Sequence, residues 1–183
     1  MKIAIDIDST LHDYWAQFAA AVRRRFGVTL PYEEQVTWEV TLLRPEQVRA
    51  AVIETHGEQH VLAAEPYPGA VEAVRAWKDA GHFIHITSHR ATDCHPWTSA
   101  WLDQIGLPYD ELYCSFDKVT HCQEIGIDLL VDDSPRNLER ALEAGMRAAT
   151  LLHPWNREIC ETEDVICAED WHELARRLEP VLA

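Results

Sequence analysis

Positive charge and long apolar runs are both scarce in this sequence. Its 183 residues include 16 Lys or Arg against 31 Asp or Glu, so the formal net charge is −15. A field of that sign repels nucleic acid phosphates and anionic membrane surfaces, which disfavours long nucleic acids and membranes as partners. No apolar run approaches the roughly 20 residues of a membrane-spanning helix. A small anionic substrate remains compatible with the sequence if local positive groups outweigh the global field.

Cysteine is also sparse, and its spacing is uninformative. The five cysteines, an odd number, include no pair at the short spacing of a zinc or redox motif: Cys94, Cys114, Cys122, Cys160 and Cys167. We therefore expect buried or unreactive thiols, as in a reducing cytosol. The chain opens directly on an apolar strand with no signal peptide, which predicts a cytoplasmic protein.

The order of apolar patterns predicts an α/β fold. Hydrophobic residues make up 47% and charged residues 26% of the chain, an ordinary globular composition. After the opening strand, helices are predicted over residues 12–26, 45–56, 68–81, 97–105, 118–125 and 135–145, and from residue 170. Further strands are predicted over residues 82–87, 112–115, 128–131, 147–152 and 164–167. Such alternation predicts a three-layer sandwich with a mainly parallel, Rossmann-like sheet.

One stretch interrupts this alternation between the first two core strands. Residues 12–66 carry helical patterns but no strand, and proline and glycine bound the second of these helices at Pro45 and Gly57. We therefore predict a core domain of residues 1–11 and 67–183, with a small helical cap, residues 12–66, inserted over the crevice.

Two acidic pairs follow apolar runs that read as buried parallel strands. Asp6 and Asp8 end the first run, and Asp132 and Asp133 end the run 129–131. Open α/β sheets bind ligands at the carboxyl ends of their strands, where these carboxylates would converge. Such a patch of negative charge needs a hard cation or protonated acids. Metal-assisted chemistry explains it better than structure alone.

The first acidic pair suits covalent catalysis. Asp6 and Asp8 lie two residues apart, so both side chains point to one face where the strand ends. One carboxylate could attack while the other moves a proton, and Thr10 could hold the second carboxylate. The structural alternative, that aspartates merely end a strand, is weakened because a second acidic pair recurs on another strand.

Polar residues after the second strand, together with one lysine, could bind an anion. Thr87 and Ser88 stand at a strand–helix junction, where a hydroxyl and backbone N–H groups form an anion cradle. Lys118, at the start of a predicted helix, could reach a phosphate. Each signal is weak alone, because Ser and Thr are common helix caps and a loop lysine is usually solvated. For His89 and Arg90, which follow, we expect a solvated loop, with substrate contact as the alternative.

Taken in order, these motifs resemble the haloacid-dehalogenase-like (HAD) superfamily over essentially the whole chain. That order is Asp-x-Asp-x-Thr, then Thr/Ser after a strand, then Lys, then Asp-Asp after a strand. The resemblance implies that Asp6 is a nucleophile that becomes aspartyl-phosphate and that Asp8 is the general acid/base. It also implies that Thr87, Ser88 and Lys118 bind the phosphoryl group.

The same resemblance implies a magnesium site. Its ligands would be the Asp6 carboxylate, the Asp8 backbone carbonyl and Asp133, with Asp132 supporting them. The chemistry agrees, because Mg²⁺ prefers oxygen ligands and bridges to substrate phosphate.

Within the superfamily, the chain resembles the 5′(3′)-deoxyribonucleotidases and their bacterial relatives. The shared pieces are Thr87-Ser88, the run 132–137, the run 154–157 and a small helical cap after the first motif. In that family aromatic residues stack on the base, which points to Tyr14 and Trp38; the alternative is that both only pack the cap core. The chain departs from the family at Ser9-Thr10, where Gly-Val or Gly-Thr is usual.

These observations predict an Mg²⁺-dependent phosphomonoester hydrolase, a 5′-nucleotidase on (deoxy)nucleoside monophosphates. Asp8 favours phosphate-ester hydrolysis over dehalogenation, because only the ester's leaving alkoxide needs an acid. One alternative is a phosphatase of another small phosphorylated metabolite. Another is a non-catalytic HAD-fold binding module, which the presence of Asp6, Asp8, Lys118 and Asp133 disfavours. The expected partner is a small phosphate ester. The sequence leaves open whether the protein also forms a homodimer.

Overall fold

Six parallel strands form one sheet at the centre of the protein, for which a computed structural model describes all 183 residues. The strands are β1 Lys2–Ile5, β2 Phe83–Ser88, β3 Glu111–Cys114, β4 Leu129–Val131, β5 Arg147–Leu151 and β6 Val165–Ala168. Their order across the sheet is β3-β2-β1-β4-β5-β6. From β1 the chain adds β2 and β3 on one side of the sheet, and from β4 it adds β5 and β6 on the other, so the strand order reverses between β1 and β4. This is the switch point at which α/β sheets form a ligand crevice.

Nine helices surround the sheet. They are α1 Tyr14–Phe26, α2 Pro45–Thr55, α3 Glu58–Leu62, α4 Ala70–Asp79, α5 His95–Gln104, α6 Lys118–Glu124, α7 Pro135–Glu143, α8 Arg157–Thr162 and α9 Trp171–Leu182. Short 3₁₀ turns lie at Tyr32–Glu34, Thr92–Cys94 and Pro154–Asn156. The sequence patterns did not predict α3 and α8, because five or six residues are too few to show a helical period. None of the helices has both the length and the apolar content to cross a membrane.

Successive residues of the central strands face two different helical layers. On β1, Ile3 and Ile5 pack in the apolar cluster formed with α4, α5 and α9. Ala4, between them, packs in the cluster formed with α6 and α7. Burial on both faces explains why residues 3–5 of β1 and 129–131 of β4 are unbroken apolar runs. The predicted three-layer α/β sandwich is thereby confirmed.

The residues between β1 and β2 form an apolar cluster of their own. Phe18 and Val22 of α1 pack there with Ala51 of α2, joined by Leu30 and Leu43. By contrast, Val61 of α3 and Ala64 pack in the large cluster of the core. Residues of α1 and α2 thus pack on one another, whereas the end of the 12–66 segment packs on the core; the division into a cap of residues 12–66 and a core stays a prediction.

The expectation that every cysteine is a free thiol is wrong in this structure. Cys160 on α8 and Cys167 on β6 form a disulfide, with Cα atoms 6.1 Å apart. Cys94, Cys114 and Cys122 are free and buried. The pairing depends on α8 lying against the edge strand β6, and this helix gave no signal in the sequence.

Candidate active site

A cavity of about 390 Å³ lies where the carboxyl ends of β1 and β4 meet α1 and α2. Five charged residues line it: Asp6, Asp8, Lys118, Asp132 and Asp133. Apolar and aromatic residues line it as well, among them Tyr14, Trp15, Phe18, Trp38, Val52 and Trp155. The cavity thus joins a strongly charged region to an apolar one, a combination suited to a ligand with a charged group on a planar body.

Three of the aspartates form a tight acidic cluster. Asp6, Asp132 and Asp133 are buried, and one carboxylate oxygen of each lies within 4.8 Å of the others. Burial raises the pKa of Asp6 to about 7; Asp132 and Asp8 add to this rise, whereas Lys118 opposes it. Burial, with Asp6 and Asp132, also raises the pKa of Asp133 well above its usual range. The protein's own positive charge therefore does not fully balance this cluster.

Lys118 lies inside the acidic cluster. As the first residue of α6, it places Nζ 2.5 Å from Asp6 Oδ1 and 2.7 Å from Asp132 Oδ2. Its side chain is only 1% exposed. Burial opposes its charge, but Asp132 and Asp6 outweigh burial and raise the pKa of the ammonium group. The solvated lysine that is usual in a loop is therefore not what the structure shows.

The two aspartates after β4 have different surroundings. The Asp132 carboxylate accepts hydrogen bonds from the Ser134 backbone N–H at 2.9 Å and from Asn137 Nδ2 at 3.1 Å. The Asp133 carboxylate accepts none from the protein; only its backbone carbonyl is bound, by Trp155 Nε1 and by Asn156 Nδ2, both at 3.2 Å. Asp132 is thus fixed by its neighbours, whereas the Asp133 carboxylate is free to bind a cation.

These donor groups fit a divalent oxygen-seeking metal. Hard carboxylate oxygens are the ligands that Mg²⁺ prefers. The raised pKa values of Asp6 and Asp133 have burial and mutual repulsion as their causes, and a cation between the carboxylates would relieve the repulsion.

Asp8 is bound by residues for which the sequence predicted no such role. Arg90 Nη2 lies 2.6 Å from Asp8 Oδ1, and Arg90 Nε lies 3.3 Å from Asp8 Oδ2. Arg90 also donates to Thr98 Oγ1 at 3.2 Å and is 1% exposed, so the expected solvated loop is wrong for this residue. The ion pair explains how the arginine can be buried.

Two histidines complete the surroundings of Asp8. His12 Nε2 lies 3.0 Å from Oδ1, and Nε2 of His56, which directly follows α2, lies 3.3 Å from Oδ2. Burial would raise the pKa of Asp8, but Arg90 and the histidines outweigh it and hold that pKa well below its usual range. Asp8 is therefore a carboxylate in this arrangement.

The residues that end β2 lie beside the cavity rather than on its surface. Thr87 and Ser88 are completely buried, and neither lines the cavity, whereas His89 does. Thr87 Oγ1 has no hydrogen-bond partner, and Ser88 Oγ accepts a hydrogen bond from the Arg90 backbone N–H at 3.3 Å. Their predicted binding of phosphate remains a prediction.

Both predicted aromatic residues line the cavity. The Tyr14 hydroxyl is 2.8 Å from Thr55 Oγ1, and its ring centroid is 5.3 Å from that of His56. Trp38 is 47% exposed and meets Trp155 edge-on, with ring centroids 6.4 Å apart. Tyr14 is thus anchored by α2, whereas about half of the Trp38 side chain is exposed to solvent.

Comparison with known proteins agrees with this geometry. Residues 1–179 match the model of a family described as 5′ nucleotidase, deoxy (pyrimidine), cytosolic type C protein. A protein provisionally named a 5′(3′)-deoxyribonucleotidase, from Chlorobaculum tepidum, is 27% identical over 87% of this chain and 82% of its own. A provisionally named nucleotidase from Oceanobacillus iheyensis is 24% identical over 94% of this chain and 96% of its own.

Solved structures show the same fold. A HAD family hydrolase from Deinococcus radiodurans, crystallised with bound phosphate and sodium, superposes with a TM-score of 0.71. The match covers 99% of this chain and 96% of that one at 18% identity, so it speaks for the fold alone.

Proposed function

Because this chain belongs to the cytosolic type C 5′-nucleotidase family, it is a HAD-type phosphatase, and we propose that it hydrolyses (deoxy)nucleoside 5′-monophosphates with Mg²⁺. The observation that carries the proposal is the cavity itself. Its charged region suits a phosphate with a metal ion, and its aromatic region suits a planar base.

In the proposed reaction, Asp6 is the nucleophile. A carboxylate oxygen of Asp6 forms a bond to phosphorus while the bond from phosphorus to the ester oxygen breaks. Lys118, whose ammonium group already contacts Asp6, neutralises charge on the phosphoryl oxygens, and Thr87 and Ser88 complete the phosphate site.

Asp8 moves the protons. It protonates the leaving oxygen in the first step and removes a proton from the water that cleaves the aspartyl-phosphate in the second. The contact with Arg90 favours the carboxylate, which is the form needed in the second step. The first step needs the protonated form, so we expect esters with poor leaving groups to react more slowly.

Mg²⁺ would be held by the Asp6 carboxylate, the Asp8 backbone carbonyl and Asp133, with Asp132 orienting the site. Bound there, it would supply positive charge that draws the phosphate dianion toward Asp6. The unpaired Asp133 carboxylate is the residue whose surroundings best support this assignment.

The leaving group would occupy the aromatic part of the cavity. Tyr14 and Trp38 would stack on the base, within a cap formed by residues 12–66 above a core of residues 1–11 and 67–183. The partner is then a small phosphate ester in the cytoplasm, in keeping with the acidic charge of the chain.

Phosphate release from a substrate panel tests the proposal. The purified protein with Mg²⁺ should release phosphate from nucleoside 5′-monophosphates faster than from sugar phosphates. EDTA should abolish the release, and added Mg²⁺ should restore it. A preference for sugar phosphates would identify the alternative metabolite phosphatase, and full activity in EDTA would contradict the metal site.

A further inference from the structure

Ser9 has a backbone conformation that serine rarely adopts. Its φ is 60°, and it is the only residue other than glycine with a positive φ. It directly follows Asp8, is buried and lines the cavity. Glycine adopts this conformation without steric cost, whereas the Cβ of serine opposes it. Surrounding contacts must therefore hold Ser9 in place.

One side chain binds the carbonyl group of Ser9. His153 Nε2 lies 2.8 Å from the Ser9 backbone oxygen, although the two residues are 144 positions apart. His153 follows β5, is buried and stacks on Trp155, with ring centroids 4.5 Å apart and planes within 1°. The ring is thus held rigidly against the turn that carries Ser9.

The other ring nitrogen of His153 faces the segment between α1 and α2. Its Nδ1 lies 2.8 Å from the hydroxyl of Tyr32. Burial lowers the pKa of His153 to about 4, so the ring is neutral at neutral pH and has one donor and one acceptor. The Ser9 oxygen can only accept, so Nε2–H donates to Ser9 and the Tyr32 hydroxyl donates to Nδ1.

We propose that His153, oriented by Tyr32, is a positioning residue that keeps Ser9 in the left-handed conformation and thereby fixes Asp8 relative to Asp6. The φ angle of Ser9 sets the direction of the peptide plane between Asp8 and Ser9, which contains the Asp8 carbonyl oxygen. Relaxation of Ser9 to a negative φ would turn that plane. The inference rests on the proposed function, because it gives Asp8 a part in the reaction.

Relief of backbone strain at Ser9 provides the test. His153→Phe keeps an aromatic ring beside Trp155 but removes both hydrogen bonds, and it should lower kcat by about tenfold or more. Adding Ser9→Gly should restore most of this loss, because glycine holds the turn without help. Ser9→Ala is the matched control: it also removes the hydroxyl but keeps Cβ, so it should restore nothing.

Two further variants separate positioning from packing. His153→Gln places an amide N–H near the position of Nε2 and should retain more activity than His153→Phe. Tyr32→Phe leaves His153 in place without its orienting partner and should lower kcat less than His153→Phe does. If His153→Phe does not fold, the same comparison is made with Tyr32→Phe with and without Ser9→Gly.

The inference and the proposed function can fail separately. Thermal unfolding without substrate should show that Ser9→Gly raises the Tm more in the His153→Phe background than in the wild type. Equal Tm shifts in both backgrounds, with no recovery of kcat, would overturn the positioning role even if nucleotides are hydrolysed. If coupled Tm shifts appear in a protein that hydrolyses no phosphate ester, the contact stands and the proposed function fails.

Discussion

Arg90 and Asp8 form a buried ion pair that crosses 82 positions of the sequence, with Arg90 Nη2 2.6 Å from Asp8 Oδ1. Both side chains are largely shielded from water, and Thr98 holds the guanidinium group from its other side. Removing one partner of such a pair leaves the other charge buried without compensation, which is more costly than losing an exposed ion pair.

Replacing Arg90 should therefore destabilise the protein in a pH-dependent way. In Arg90→Met only His12 and His56 still oppose burial, so the pKa of Asp8 rises. Below that raised pKa Asp8 is protonated and is no longer a buried charge without its arginine, so the loss of stability is larger at high pH than at low pH. We expect a loss of roughly 3–5 kcal/mol at pH 7.5 and a smaller loss at pH 5, measured by urea unfolding. Asp8→Asn should remove most of this difference in a double-mutant cycle. An Arg90→Met loss that is the same at both pH values would contradict the charge-pair explanation.

The two aspartates after β1 should differ in what accumulates during turnover. Asp6→Asn should form no phosphoenzyme, because it lacks the attacking carboxylate. Asp8→Asn should give one fast burst with an ester whose leaving group needs no proton, and then stall as trapped phosphoenzyme. Mass spectrometry of the quenched protein measures both outcomes. A phosphate adduct on another residue, or unimpaired steady turnover by Asp8→Asn, would overturn the assignment.

Mg²⁺ should stabilise the protein more strongly at high pH. Burial raises the pKa of Asp6 to about 7 and that of Asp133 well above its usual range, so the folded protein holds protons that the unfolded chain has lost. The stability that these bound protons contribute is fully present below about pH 4, the pKa of the carboxyl groups in the unfolded chain. It is lost as pH rises through the raised pKa values of Asp6 and Asp133 in the folded protein. Mg²⁺ binds the deprotonated carboxylates, and at about 100 times its dissociation constant it adds about 2.7 kcal/mol.

We therefore expect a larger Mg²⁺-induced rise in Tm at pH 8 than at pH 5.5. The comparison is made with and without Mg²⁺ at each pH, because buried histidines such as His85 and His153 titrate in the opposite sense. Asp133→Asn is the control and should abolish the Mg²⁺ effect. An equal rise at both pH values, or one that survives in Asp133→Asn, would count against the predicted metal site.

Trp38 should matter for esters that carry a base and little for esters that do not. Stacking of a base on an aromatic side chain contributes roughly 1–3 kcal/mol. Trp38→Ala should lower kcat/KM for nucleotides by about tenfold or more, at little cost in stability because the side chain is half-exposed. Tyr14→Ala should act similarly, whereas Tyr14→Phe keeps the ring and should stay near the wild-type value. Equal losses on a small ester without a base would identify both residues as packing groups.

The disulfide should be detectable by counting thiols. After denaturation without reductant, alkylation should modify three of the five cysteines, and all five after reduction. Cys160→Ser should lower stability by about 2 kcal/mol, since the bridge closes a short loop. Cys167→Ser should match it, and the double variant should lose no more than either single variant. Five reactive thiols without reductant would show that the pair stays reduced.

The sequence predicted the aspartates of the site better than the residues that hold them in place. Asp6, Asp8, Asp132 and Asp133 follow apolar runs, and parallel strands necessarily bring their carboxyl ends to one edge of the sheet. Arg90 could not be placed in the same way, because its partner lies in a distant segment and a loop arginine is normally solvated.

Two other features lacked any local sequence signal. The strain at Ser9 is visible only in the backbone, and its support by His153 depends on β5 ending beside the turn after β1. The disulfide depends on α8, which is too short to show a helical period in the sequence. Resemblance to a family supplied the site of Lys118, whose sequence context alone favoured an exposed loop.

The position of β1 in the middle of the sheet fixes when the acidic centre can exist during synthesis. The backbone N–H of Asp6 donates to the carbonyl of Val131 at 2.8 Å, and that of Lys2 donates to Asp128. A ribosome makes Asp6 well over a hundred residues before it makes β4, which begins at Leu129. Until then, one edge of β1 has no strand to pair with and would have to be shielded from other chains. The acidic centre is thus assembled only after β4 has been made, and a nascent chain that ends before β4 lacks it.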